Sequence, residues 1–172
     1  MRKVAFALFM LCAALAPCAA SAQSKGQTTE RQIDYNGFSA LTDEVAAYRQ
    51  TRLIDLAEFR RLAREGDTLI LDARSPAAFA AGHIEGAVNL TFTDFTAQRL
   101  VQAIGDPNRR ILIYCNNNFR NDAEPVVMKS APLALNIPTF INLYGYGYRN
   151  VYELGEVVDF NDPRVRWTQS GR

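Results

Sequence analysis

LILDARSPAAFAAGHIEGAVNL, residues Leu69–Leu90, is the stretch on which the fold turns. Thr68 to Leu71 is a short apolar, β-favouring run, the pattern of a strand buried on both faces of a parallel sheet. Asp72 stands at its carboxyl end. Ser75 offers a helix cap, and Pro76 fits the first helical position, where a missing N–H costs nothing. The helix runs through Ala77, Phe79 and Ala80 and stops at Gly82. Ala87 to Leu90 then returns as a short strand or extended segment.

The same alternation continues outward. Leu53-Ile54 is a short strand candidate, and Asp55 caps a helix with apolar positions Leu56, Phe59 and Leu62, ending at Gly66. Phe92 to Ile104 repeats apolar residues with helical spacing until Gly105-Asp106-Pro107. Ile111 to Tyr114 is the central strand and Val151 to Leu154 the last one. Strand and helix in turn predict an α/β fold, an open parallel sheet with helices on both faces. Such sheets gather ligands at the carboxyl ends of their strands, where Asp72 and Cys115 both fall.

The chain ends are less regular. Arg2 and Lys3, the apolar Val4 to Leu15 and the small residues Ala20-Ser21-Ala22 predict a signal peptide over 1–22, hence a periplasmic or secreted protein with no stable membrane insertion after cleavage. Residues 23–50 form an N-terminal extension: a polar leader, a turn at Asn36-Gly37, and a short helix capped by Thr42 or Asp43. The domain itself spans 51–168. Ile137 to Tyr148 carries Pro138, Gly145, Gly147 and four large aromatics, and is expected to be a surface loop packed by its own rings, or else an aromatic wall beside the cleft or a partner-docking patch. Trp167 is expected to be a packing anchor.

Cleavage removes two basic residues from a chain of formal net charge +1, leaving it slightly acidic, so nothing points to nucleic acid as a partner. It also removes Cys12 and Cys18. Cys115 then stands alone in an exported protein, with no partner for an internal disulfide. One histidine and one cysteine supply no zinc site, and no cofactor is expected. Cys115 is followed by Asn116-Asn117-Asn118-Phe119-Arg120. Asparagine tolerates turn geometry, so a tight turn is expected here, with a helix beginning near Asn121 or Asp122. Turn amides, a helix N-terminus and Arg120 would all favour a thiolate. Bringing the pKa from about 8.5 to about 6.5 needs roughly 2.7 kcal/mol.

Leu69 to Leu90, the ILIYC strand and Gly147 to Leu154 (GYRNVYEL) together resemble the rhodanese family of sulfurtransferase domains, chiefly through Asp-x-Arg-x-x-x-x-Phe-x-x-Gly-His-Ile-x-Gly-Ala. The resemblance implies that Cys115 carries a sulfane sulfur as a persulfide and that Arg120 closes a six-residue loop. Backbone amides of Asn117 to Asn121 would surround the sulfur, making Asn116, Asn117, Asn118, Phe119 and Asn121 the binding loop. Asp72 and Arg74 resemble the pair that braces the cleft floor, and His83 a mainly structural histidine. Related phosphatases place arginine six residues after cysteine, whereas here it is at plus five, which favours sulfur over phosphate. The loop departs from the family at Asn118, where glycine is common and where Asn can adopt positive φ at a modest cost, and in having no charge but Arg120. Thiosulfate should therefore be a poor donor, and a polysulfide or a small-molecule or protein persulfide a better one. Residues 132–146 would hold an excess of about a dozen residues beyond compact members. Arg120 pairing with Glu124 on a helix surface, a non-catalytic binding module, and a thiol redox protein using Cys115 are the alternatives.

Overall fold

The computed structural model describes residues 32–169. The expected signal peptide, the leader up to residue 31, Cys12 and Cys18 lie outside the described residues. Among the described residues no helix is long and apolar enough to cross a membrane.

Helix α1 covers Tyr35–Gln50 and is capped by Asp34, whose Oδ1 accepts the Gly37 N–H at 2.9 Å. The expected Asn36-Gly37 turn is thus the first turn of a single long helix. First-turn N–H groups need acceptors from outside the helix, and Asp34 supplies one. The Thr42 hydroxyl caps nothing and donates to the Phe38 carbonyl at 2.8 Å.

Strand β1 (Leu53–Ile54) leads through the Asp55 cap into α2 (Leu56–Leu62). Then come β2 (Thr68–Asp72), α3 (Pro76–Ala81, capped by Ser75), β3 (His83–Ile84) and β4 (Ala87–Asn89). The expected helix after Phe92 splits into a 3-10 turn at Phe92–Asp94 and α4 (Ala97–Ile104), because Thr96 recaps the chain. Strand β5 is Arg110–Tyr114, α5 is Asn136–Gly145, β6 is Val151–Leu154 and β7 is Trp167–Thr168.

Five strands form one parallel sheet in the order β1-β6-β5-β2-β4, and β3 pairs antiparallel with β7 beside it. Side chains alternate across the sheet. Leu69, Leu71, Ile111 and Ile113 pack on one face against α1, α4 and α5. Ile70, Leu112 and Tyr114 pack on the other against Leu56, Phe59 and Leu62 of α2. The α/β sheet covered on both faces is the fold the sequence led us to expect.

Two expectations after Cys115 are corrected. No helix starts at Asn121 or Asp122, and the next α-helix begins only at Asn136. The expected loop over 137–148 is largely α5, with Phe140, Ile141, Leu143 and Tyr144 buried against the sheet and α1. Pro138 lies in the first turn of α5, where its missing N–H breaks no intrahelical bond. Gly145 closes the helix. Part of the excess chain expected over 132–146 is therefore helix, and the irregular course runs from Asn121 to Leu135, with one 3-10 turn at Ala131–Leu133.

Candidate active site

β2 and β5 are neighbours in register, with Asp72 opposite Tyr114, so Cys115 emerges beside the end of β2. The floor there is a dense polar brace. Asp72 is fully buried and Arg74 is 3% exposed; Arg74 Nη2 reaches Asp72 Oδ2 at 2.6 Å and the Gly82 carbonyl at 2.7 Å. The Tyr114 hydroxyl donates to Asp72 Oδ2 at 2.5 Å and accepts the Ile84 N–H at 3.1 Å. Burial and the Asp72 carboxylate hold the Tyr114 phenol well above its ordinary pKa, so it remains a donor. His83 stacks on Phe79 at 3.8 Å and its Nδ1 meets the Phe79 carbonyl at 2.8 Å. All three expected supporting residues are buried and make these hydrogen bonds within the protein itself.

Above this floor Cys115 is 1% exposed, yet it belongs to neither apolar cluster. The backbone N–H groups of Asn136, Asn117 and Leu135 lie near its sulfur and favour its anion, without forming a hydrogen bond to it in the resting structure. Two of these come from the start of α5. A helix N-terminus does face the thiol, but it belongs to the helix that returns after the 121–135 detour. Cys115 and Asn118 also close a reciprocal cap, in which the Cys115 N–H donates to Asn118 Oδ1 at 2.9 Å.

Asn118 is the hub of the turn. Its Oδ1 also accepts from Asn136 Nδ2 at 3.0 Å, and its own Nδ2 donates to the Leu154 and Glu156 carbonyls at 2.7 and 3.1 Å. Its backbone lies in a 3-10 turn, Asn116–Asn118, and does not use the positive φ open to asparagine, whereas Asp122 takes the left-handed geometry. Asn116 Nδ2 donates to the Val127 carbonyl at 2.8 Å. Asn117 Nδ2 donates to the Lys129 carbonyl at 2.7 Å and Asn117 Oδ1 accepts the Lys129 N–H at 3.1 Å. The two side chains tie the detour down.

The remaining loop residues lie elsewhere. Phe119 is buried, edge-on to Trp167 at 5.0 Å and to Tyr114 at 6.0 Å, which makes Trp167 the anchor it was expected to be. The Arg120 N–H donates to the Val158 carbonyl at 2.9 Å, and its exposed guanidinium to the Val157 carbonyl at 3.0 Å. Asn121 bonds Asp159 and the Phe160 N–H. Residues 118–120 pair with the strand-like Val158 segment, which turns Arg120 outward. Arg120 therefore neither closes a ring around the sulfur nor pairs with Glu124.

Sequence reasoning missed a carboxylate. Glu153 of β6 is buried; its Oε1 accepts from Asn136 Nδ2 at 3.1 Å, and Arg49 of α1 pairs with it at 2.5 and 2.7 Å. A glutamate inside the buried run Val151-Tyr152-Glu153-Leu154 is the signal that could have found it, because such a charge needs a partner. Burial pushes the Cys115 thiol up, Glu153 adds to that push, and the three N–H groups oppose it without prevailing. The activated thiolate expected from the sequence is replaced by a resting thiol, since desolvation outweighs the helix end and Arg120 supplies no charge here.

An open parallel α/β sheet with one cysteine at the tip of its middle strand defines the class. The chain belongs to the rhodanese-like domain family, whose sequence model matches residues 55–155. Over 55 residues it is 44% identical to mouse dual specificity protein phosphatase 1, a match spanning 31% of this chain and 15% of that protein. The Alr3790 protein from Anabaena sp. is similar at 20% identity and a TM-score of 0.42, covering 59% of this chain and 68% of that one. For the BH2092 protein from Bacillus halodurans the values are 16%, 0.47, 69% and 75%. Arg49 and the rest of α1 precede the family match.

Proposed function

We propose that this is an exported sulfurtransferase or persulfide carrier acting through Cys115, with residues 121–135 closing over the thiol at rest. The observation that carries the reading is the place of Cys115 at the tip of the middle strand, enclosed and next to the Asn117, Leu135 and Asn136 N–H groups, which favour its anion. Amides close to one atom stabilise negative charge there, as an oxyanion hole does. The Cys115 thiolate attacks the outer sulfur of a polysulfide or persulfide. A new S–S bond forms, the donor's S–S bond breaks, and the donor leaves as a thiolate with the electron pair. An acceptor thiolate then takes the terminal sulfur and returns Cys115 as thiolate, with no net redox change. The terminal sulfur of a persulfide is anionic without help from Arg120. The neutral asparagine loop makes thiosulfate the poorer donor.

The second reading is a non-catalytic binding module, favoured by the raised pKa of Cys115 and its closure from solvent. Intact-mass measurement after incubation with polysulfide separates the two. The first predicts a gain of one sulfur atom that is lost with cyanide and absent in Cys115→Ser. A folded protein that gains no sulfur from polysulfide or from a small-molecule persulfide, even after long incubation, supports the second.

A further inference from the structure

Helix α2 and the turn after it carry a run of charged residues, Glu58, Arg60, Arg61, Arg64 and Glu65. Arg61 engages Glu58 within the helix and Glu65 just beyond its end, each at 2.6 Å. Arg60, in α2, and Arg64, in the turn after it, have no carboxylate within ion-pairing distance among the described residues. Arg60 is only 9% exposed, and its Nη1 is shut off from solvent with no acceptor among the described residues. A guanidinium desolvated in this way with no carboxylate beside it is short of compensating charge, which an anion in an adjoining cleft would supply.

Arg60 and Arg64 line an open cleft of about 310 Å³ together with Leu56, Ala57, Pro163, Arg164 and Arg166. Two of these four arginines are offset: Arg164 by Asp162 at 2.6 Å and Arg166 by Glu85 at 2.5 Å. The other two charges remain, in a chain whose formal net charge is only +1. Burial, with Arg166 and Arg64 nearby, disfavours the Arg60 charge, and Glu85 offsets this only in part. The volume is at the small end of the range for small-molecule sites, and Leu56, Ala57 and Pro163 give the cleft an apolar wall.

We propose that this cleft binds a small organic anion with a doubly charged oxoanion head of the phosphate-ester class, the head facing Arg60 and Arg64 and the apolar part against Leu56 and Pro163. Guanidinium forks match such oxoanions in geometry and charge. The site does not depend on Cys115 chemistry, so Cys115→Ser retains it.

The test uses inorganic phosphate and phenyl phosphate, each compared with chloride at matched ionic strength and read by thermal shift and calorimetric titration. Both raise the melting temperature of the protein, phenyl phosphate at lower concentration. Arg60→Met and the exposed Arg64→Gln weaken binding by about tenfold to a hundredfold, as expected for loss of a charged hydrogen-bond donor. Arg99→Gln, on α4, leaves binding unchanged. Equal shifts with phosphate and chloride, or full binding by a folded Arg64→Gln, overturn the site. Phenyl phosphate no tighter than phosphate overturns the organic ligand class.

Discussion

Replacing Asn116 and Asn117 together by alanine should open the thiol without unfolding the domain. The side chains hold residues 127–129 through three hydrogen bonds of 2.8, 2.7 and 3.1 Å. Exposed bonds of this kind contribute about 0.5–1 kcal/mol each, so their loss favours opening by about 1.5–3 kcal/mol. The Asn116 share belongs at the low end, because its Oδ1 is already buried without a partner. At about 1.4 kcal/mol per factor of ten, the open fraction rises about tenfold to a hundredfold. Disulfide exchange of Cys115 with an aromatic disulfide reads this directly, at fixed pH and in the regime where rate follows the opening equilibrium. Urea unfolding of both proteins gives the change in global stability to subtract. Unchanged labelling, or an acceleration no larger than the loss of global stability accounts for, would refute the reasoning. Cys115 would then be reached only by unfolding, and the detour would not be its cover.

Other outcomes follow from the same geometry. Arg120→Ala should leave the pH profile of Cys115 alkylation unchanged, because its guanidinium rests on the Val157 carbonyl; a shift to higher pH would return the arginine to the sulfur. Glu153→Gln should move that profile to lower pH by removing a negative neighbour, and Arg49→Met should move it higher; no movement in either would exclude Glu153 from the site. Arg74→Met strands the buried Asp72 carboxylate and should cost about 3–5 kcal/mol in urea unfolding. Because the folded Cys115 pKa is raised, its proton stabilises the fold fully below the unfolded value of about 8.5, and that contribution is lost as pH rises through the folded value. Stability measured from about pH 7 to about pH 10 should decline more steeply than in Cys115→Ser, and parallel curves would contradict the shift.

Strands and caps were legible because each is written locally: Ser75-Pro76, Asp55, and the buried runs at Thr68 and Ile111 specify themselves. The turn after Cys115 was legible only as far as Asn117. From Asn118 onward, long-range partners decide the conformation: the Leu154 and Glu156 carbonyls hold Asn118, and the Val158 segment pairs with Phe119 and Arg120. The helix dipole expected at the sulfur is present, but it arrives from Leu135 and Asn136 after a detour that no local signal marks. α5 was hidden because Pro138 and Gly145 read as breakers until their places in the first and last turns were known. Arg49 was unreadable, since its partner lies more than a hundred residues away.

The central claim concerns where sulfur sits, so the most direct measurement is a crystal structure of the polysulfide-treated protein at high resolution. Density for one added sulfur should appear on Cys115, within hydrogen-bonding reach of the Asn117, Leu135 and Asn136 amides. An unmodified thiol after treatment that modifies a model thiol fully, or an added sulfur turned away from those three amides, would contradict it.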